Sequence, residues 1–313
     1  MLALLFPGQG SQAVGMGRDV FDASPAARAV FEAADRALGF SISKLCFEGP
    51  EDELRRTEIQ QPAIVTTSIA LLRAVEEKLP LAPRFVAGHS LGEYSALVAA
   101  GALSLEDAVV LVNKRGRFMQ EAVPAGKGAM AALMGLEPAS VDEACRTAAA
   151  ETGLVVSPAN YNSSQQIVIA GDASAVERAI AVAKERGAKR AVPLPVSAPF
   201  HCALMRPAAE RLAGELARVK FADPRVPVIT NVEAAPNASG SRIPALLEQQ
   251  VTAPVRFIES VKQLAALGVT RVIEIGPGSV LTGLVARIER GIERANVSSL
   301  EEVNAVVASG AAA

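Results

Sequence analysis

The chain has 313 residues, 50% of them hydrophobic and 20% charged, with a formal net charge of −2 and a mean hydropathy of +0.28. A chain of that length and composition can bury a full core, which excludes a disordered chain. The near-neutral balance excludes the overall basic footprint of a nucleic-acid binder, and no apolar run is long enough to cross a bilayer.

The first residues, Met1 to Phe6, are apolar, lack a basic flank and run straight into Pro7-Gly8. They predict a buried strand over 2–6, not a signal peptide. The following Gly8-Gln9-Gly10 loop fails as a dinucleotide fingerprint, because the third glycine comes only at position 15, and as a P-loop, for want of Gly-Lys-Ser/Thr. Its small residues suit a strand-end loop that brings a backbone and the Gln9 amide close to a ligand. Ser24-Pro25 predicts a helix start by N-cap and first-turn proline, with Ala27, Val30, Phe31 and Ala34 on one face. Gln61-Pro62 is read as the start of another helix, through Ile64, Ser68, Leu71, Leu72 and Val75, stopped by Pro80.

Arg84 to Ala87 then predicts a strand, Gly88-His89-Ser90-Leu91-Gly92 a sharp turn, and Glu93 to Ala100 a helix closed by Gly101. Strand, Gly-x-Ser-x-Gly, helix is the setting of a nucleophile elbow. A tight turn whose serine is only a cap carries the same five letters. Ser104 caps a helix through Val109, Val112 and Met119 that carries Lys114 and Arg115. Such charges on a helix are ordinarily solvated.

Pro124 to Gly128 marks a boundary. Beyond it the pattern predicts a strand over 129–134, a helix with Val141, Ala144, Cys145 and Ala148 on one face, strands over 154–156 and 166–170 around a polar 160–165 turn, a helix through Val176, Ala179, Ile180 and Ala183, and a strand over 192–196. This βαββαβ order is that of a split-βαβ, ferredoxin-like unit. The expected architecture is therefore α/β: a large α/β-hydrolase-like subdomain with a parallel sheet, residues 1–126 and 198–313, and a small inserted ferredoxin-like subdomain, residues 127–197. After it come a long amphipathic helix from Leu204 to Val219, a short strand over 227–231, helices over 243–250 and around Ile258 to Ala265, a strand over 271–275, and a last substantial helix after Gly276-Pro277-Gly278, with a frayed Ala-rich tail from Ala308.

A serine nucleophile needs a base, and histidine is the usual one. The chain has two histidines. His89 adjoins Ser90, so its side chain should point away, which leaves His201. The order Ser then His agrees with α/β-hydrolases, but no orienting acid stands out between them, since Asp142 and Asp172 read as helix caps. Either a main-chain carbonyl orients His201 or this is not a standard triad. The three cysteines, Cys46, Cys145 and Cys202, have no metal or redox spacing and predict reduced thiols in a cytoplasm.

Seven motifs in order carry a resemblance over nearly the whole chain: Phe6-Pro7-Gly8-Gln9-Gly10-Ser11-Gln12, Gln61-Pro62-Ala63, Gly88-His89-Ser90-Leu91-Gly92-Glu93, Lys114-Arg115-Gly116, Ala159-Asn160-Tyr161-Asn162-Ser163, Val196-Ser197-Ala198-Pro199-Phe200-His201 and Glu274-Ile275-Gly276-Pro277-Gly278. With them the sequence resembles the malonyl-CoA:acyl-carrier-protein transacylases of fatty-acid synthesis and the acyltransferase domains of polyketide synthases. The resemblance implies ping-pong transfer of malonyl from malonyl-CoA to acyl carrier protein, with Ser90 as nucleophile and His201 as base. It also implies an oxyanion hole from the Gln9 and Leu91 N–H groups, Arg115 on the malonyl carboxylate, and Gln250 orienting the site with a carbonyl nearby for His201. Phe200 resembles the bulky residue of malonyl-selective polyketide-synthase domains and should crowd a methylmalonyl branch. No metal, no resident cofactor, no nucleic acid, no membrane and a monomer are the accompanying expectations, with Lys189 and Arg190 as candidate contacts to an acidic carrier protein. A malonyl transferase of polyketide synthesis, a serine hydrolase and a non-catalytic scaffold are the competing readings. Arg115 speaks against a general esterase, and the intact Ser90 and His201 against a scaffold.

Overall fold

The computed structural model describes residues 1–196 and 198–310, so Ser197 and the alanines 311–313 of the tail lie outside the described residues. The first part of the chain runs β1 (Leu2–Phe6), α1 (Arg18–Ala23), α2 (Pro25–Leu38), α3 (Ile42–Glu48), α4 (Glu51–Leu54), α5 (Thr57–Glu76), β2 (Phe85–Gly88), α6 (Gly92–Ala99) and α7 (Leu105–Glu121). Next come β3 (Gly128–Met134), α8 (Pro138–Thr152), β4 (Val156–Ser163), β5 (Gln166–Asp172), α9 (Ala173–Glu185) and β6 (Arg190–Pro193). The last part holds α10 (Arg206–Leu216), β7 (Val228–Ile229), β8 (Pro236–Asn237), α11 (Ile243–Thr252), α12 (Phe257–Ala266), β9 (Arg271–Ile275), α13 (Val280–Ile288), β10 (Glu293–Val297) and α14 (Leu300–Ala308).

This is a mixed α/β fold. One sheet has the order β10-β9-β1-β2-β7-β8, parallel throughout except for β8, which runs antiparallel to β7. Both its faces are covered, as a parallel sheet requires. Leu2, Leu4 and Phe6 of β1 join the helical core around α2, α5, α6 and α7, while Ala3 and Leu5 face a second core with α12 and α13. The other sheet is antiparallel, in the order β4-β5-β3-β6. It too divides by alternation: Ala131, Leu133, Ile167 and Ile169 pack with α8 and α9, whereas Met130, Ala132, Val168 and Ala170 belong to the large core. An isolated parallel bridge between Asn160 and Val255 ties β4 to the segment before α12.

Several elements depart from their sequence expectations. Pro62 lies inside α5, which begins at Thr57. Proline leaves the carbonyl four residues earlier without its N–H partner, and here the Asn113 side-chain amide of α7 donates to that Glu58 carbonyl (2.7 Å). Strand β4 runs to Ser163, so most of the expected 160–165 turn is strand. Its polar Asn160 and Asn162 hide the strand pattern because they serve the cleft. Strand β6 ends at Pro193. The helix expected from Leu204 to Val219 is a 3₁₀ turn at Ala203–Met205 followed by α10, ending at Leu216. Helix α11 continues through Thr252. Strand β10 and helix α14 follow α13, where no further element is expected. Strand β10 is a half-exposed edge without an apolar run. Helix α14 did carry a signal, the Ser299-x-x-Glu302 capping box, in which Ser299 Oγ accepts from Glu302 N–H (3.3 Å). Asp142 lies within α8 and accepts from the Tyr161 hydroxyl (2.6 Å). Asp172 stands at the N-cap of α9 but spends its side chain on Val155 N–H (2.9 Å). No described helix is long and apolar enough to cross a membrane.

The turn between β2 and α6 needs its two glycines. A Cβ at Gly88 would overlap the Gly92 carbonyl, and one at Gly92 would overlap the Phe6 carbonyl of β1. Gly92→Ala is expected to destabilise by about 3 kcal/mol or more, since only backbone could yield. By contrast, Gly214→Ala, in α10 with nothing within 4 Å of the new methyl, should stabilise by about 0.5–1 kcal/mol. Urea unfolding of the two variants checks both.

Candidate active site

Ser90 stands at the tip of that turn with φ of 52°, a left-handed conformation that a non-glycine residue keeps only where the surroundings enforce it. Its hydroxyl is 2.7 Å from His201 Nε2. His201 is likewise left-handed, with φ of 60°, and its Nδ1 lies 2.8 Å from the Gln250 carbonyl at the end of α11. A carbonyl only accepts, so Nδ1 carries the hydrogen and Nε2 is the free lone pair facing Ser90. The ring is thus oriented by main chain and not by an acid. Burial, and after it the Arg115 charge, hold the His201 pKa down at about 3. The imidazole is neutral and available to accept a proton.

Arg115, expected on solvated grounds to face water, is fully buried in α7. It donates from Nη1 to Gln61 Oε1 (2.8 Å) and from Nη2 to Ser90 Oγ (3.2 Å) and Gln250 Oε1 (3.0 Å), and it lies over the Tyr94 ring at 5.7 Å. Its Nε–H has no protein partner. Lys114, by contrast, pairs with Glu215 at 2.6 Å on the outside. A buried guanidinium with an unpartnered Nε–H beside a serine hydroxyl is suited to an anionic acyl group.

The loop after β1 closes over the other side. A Cβ at Gly8 would press on the His89 carbonyl, so glycine lets the loop lie against the Ser90 turn. The Gln9 side chain donates to Gln60 Oε1 (2.6 Å) and accepts from Gln61 Nε2 (3.1 Å). Neither Gln9 N–H nor Leu91 N–H has an acceptor among the described residues, whereas Ser90 N–H donates to Asn231 Oδ1 (2.6 Å). His89 points away from Ser90, to Asn162 Oδ1 on β4 (2.7 Å), and burial lowers its pKa.

Ser90, His201, Gln9, His89, Asn160, Met130 and Phe200 line one cavity of about 590 Å³, between the parallel sheet and the inner face of the antiparallel one. Arg55 also lines it; Lys189 and Arg190 are exposed near β6 and do not. Sequence reasoning assigned no role to Gln61, Asn231 or Glu93. The first stood in a quoted motif beside Pro62, the last in the motif at Ser90, and Asn231 carried no local signal. With two histidines in the chain, a direct measurement is available. The His201 imidazole should not titrate between pH 8 and 5 when followed by NMR, and His89 should titrate below its ordinary range, because burial disfavours protonation at both rings. A transition near pH 6.5 from either would contradict the geometry.

Comparison with known proteins agrees with the extent of the motifs. The family model described as acyl transferase domain matches residues 3–306. The chain is 51% identical over 306 residues to a malonyl CoA-acyl carrier protein transacylase of Escherichia coli strain K12, covering 98% of this chain and 97% of that one. A crystal structure of an acyl carrier protein S-malonyltransferase from Vibrio cholerae superimposes with a TM-score of 0.95 at 47% identity, over 97% of this chain and 99% of the other. A malonyl-transacylase solved in complex with its type II polyketide acyl-carrier protein gives a TM-score of 0.95 at 45% identity, over 98% and 99% of the two chains.

Proposed function

The chain belongs to the acyl transferase family, and on that premise we propose that it moves malonyl from malonyl-CoA to the phosphopantetheine thiol of an acyl carrier protein, through a malonyl ester on Ser90, supplying extender units for fatty-acid synthesis. The observation that carries this reading is the fully buried Arg115, its Nε–H unpartnered, with Nη2 3.2 Å from the Ser90 hydroxyl.

Ser90 gives its proton to His201 Nε2 as its oxygen attacks the thioester carbonyl. The Gln9 and Leu91 N–H groups hold the resulting oxyanion, an effect worth ~3 kcal/mol per donor in comparable sites. The tetrahedral adduct collapses, coenzyme A leaves as thiolate, and His201 returns the proton to it. The carrier thiol then gives its proton to His201, attacks the ester carbonyl, and Ser90 recovers that proton as it departs. Exchange of one thioester for another is close to isoenergetic, so the reading asks for no resident cofactor. The malonyl carboxylate pairs with the Arg115 guanidinium, whose Nε–H is unpartnered and whose Nη2 contact to the Ser90 hydroxyl is released when that oxygen reacts. It also cancels the charge that, after burial, most depresses His201, so the bound substrate makes the base stronger. Acetyl brings no such charge, which favours malonyl twice.

Phe200, buried at the wall of the cavity that holds Ser90, crowds a branch at the malonyl α-carbon. The strand order β4-β5-β3-β6, with α8 and α9 on one face, supports the division into a large α/β-hydrolase-like part and a small ferredoxin-like insert over 127–197. The three buried free cysteines support a reducing, cytoplasmic setting.

Intact-mass measurement after mixing with malonyl-CoA should show one malonyl adduct, absent from Ser90→Ala and discharged by holo carrier protein; no adduct on the wild type would refute the reading. Discharge to water at the same rate with or without carrier would favour a hydrolase. Arg115→Ala should lower kcat/KM for malonyl-CoA by roughly a hundredfold or more, the value of two charge-assisted hydrogen bonds, and should cost acetyl-CoA far less. Equal losses would remove the carboxylate role. Phe200→Ala should raise methylmalonyl loading relative to malonyl in a competition assay.

A further inference from the structure

Glu93 follows Gly92 on α6, is buried, and takes no part in the steps above. Its Oε2 accepts from Gln250 Nε2 (2.7 Å) and from Asn231 N–H (3.1 Å). Each of these partners reaches the reacting groups. Gln250 offers its side-chain oxygen to Arg115 Nη2 (3.0 Å) and its main-chain carbonyl to His201 Nδ1 (2.8 Å), and Nε2 also donates to the Ser90 carbonyl (3.0 Å). Asn231 accepts from Ser90 N–H (2.6 Å) and donates from Nδ2 to the Gly88 carbonyl (2.6 Å). One carboxylate oxygen therefore anchors two arms, one to the base and the guanidinium, the other to the backbone of the turn.

An amide side chain can present either end to a neighbour. Gln250 serves Arg115 only with its oxygen outward. Two acceptors hold its NH₂ end, the Glu93 carboxyl at 2.7 Å and the Ser90 carbonyl at 3.0 Å, and the shorter bond goes to Glu93. Without Glu93 the NH₂ keeps only the Ser90 carbonyl and can turn toward Arg115, donor against donor, which loosens both the guanidinium and the α11 end that holds His201.

We infer that Glu93 is a positioning residue that sets the orientation of Gln250, and through it places Arg115 for the acyl carboxylate and His201 for Ser90. The inference rests on the malonyl-transfer reading. What matters is an acceptor oxygen, not a charge. Burial raises the Glu93 carboxyl to about 7, and the oxygen accepts both hydrogen bonds in either protonation state.

The test compares Glu93→Gln, Glu93→Asp and Glu93→Ala for steady-state transfer from malonyl-CoA and from acetyl-CoA, with folding followed by circular dichroism. Glutamine keeps an oxygen in place for both donors, and should stay within about threefold of wild type. Alanine should lose roughly a hundredfold in kcat/KM for malonyl, the scale of an ångström-sized misplacement, mostly in kcat, and the malonyl-over-acetyl preference should shrink at least tenfold. Aspartate, one methylene short, is the folded alternative if alanine does not fold, and should show the same shrinkage in smaller degree. Folded alanine or aspartate variants with an unchanged malonyl-over-acetyl ratio would overturn the inference, and so would a glutamine variant as impaired as alanine. Absence of malonyl transfer by the wild type would instead overturn the reading beneath it.

Discussion

A guanidinium without water is the constraint around which the rest of the site is arranged. Arg115 is fully buried in α7, and taking such a cation out of water costs on the order of several kcal/mol even after relaxation. The fold answers with acceptors from separate elements: Gln61 of α5, Gln250 of α11, the Ser90 hydroxyl at the turn, and the ring of Tyr94 on α6. The nearby Glu93 carboxylate stands behind Gln250. Gln61 also holds the Gln9 side chain, and Gln250 holds His201, so charge burial and preorganisation share these residues.

The antiparallel sheet is more than an appendage. Alternate residues of β3 and β5 pack into two different cores, so the sheet forms one wall of the cavity. His89 reaches across to Asn162, and the Asn160–Val255 bridge continues the backbone pairing into the large part. Movement of that sheet would be felt at the residue next to Ser90. This explains why polar asparagines occupy a strand where apolar alternation would be expected.

Most of the elements were legible where apolar spacing and caps coincide. Ser24, Ser104 and the glycines about Ser90 all sit where their chemistry predicts. The misreadings have physical causes. Pro62 broke no helix because Asn113, 51 residues on, occupies the carbonyl that proline abandons. Strand β10 was hidden by its exposed edge. Arg115 was read as a surface charge because helical spacing says which face a residue shares, not whether that face meets water or a cavity.

By itself, the sequence determined the strand–turn–helix that presents Ser90, and by its two histidines it left His201 as the sole candidate base. These depend on contacts a few residues apart, or on counting. Only the tertiary structure decided that a carbonyl of Gln250 holds His201, that Arg115 points inward, and that Glu93 faces Gln250. Ser90 and His201 lie 111 positions apart, Glu93 and Gln250 157. Hydrogen bonds over such spans are set by how helices dock, and no periodicity along the chain records which polar ends will meet.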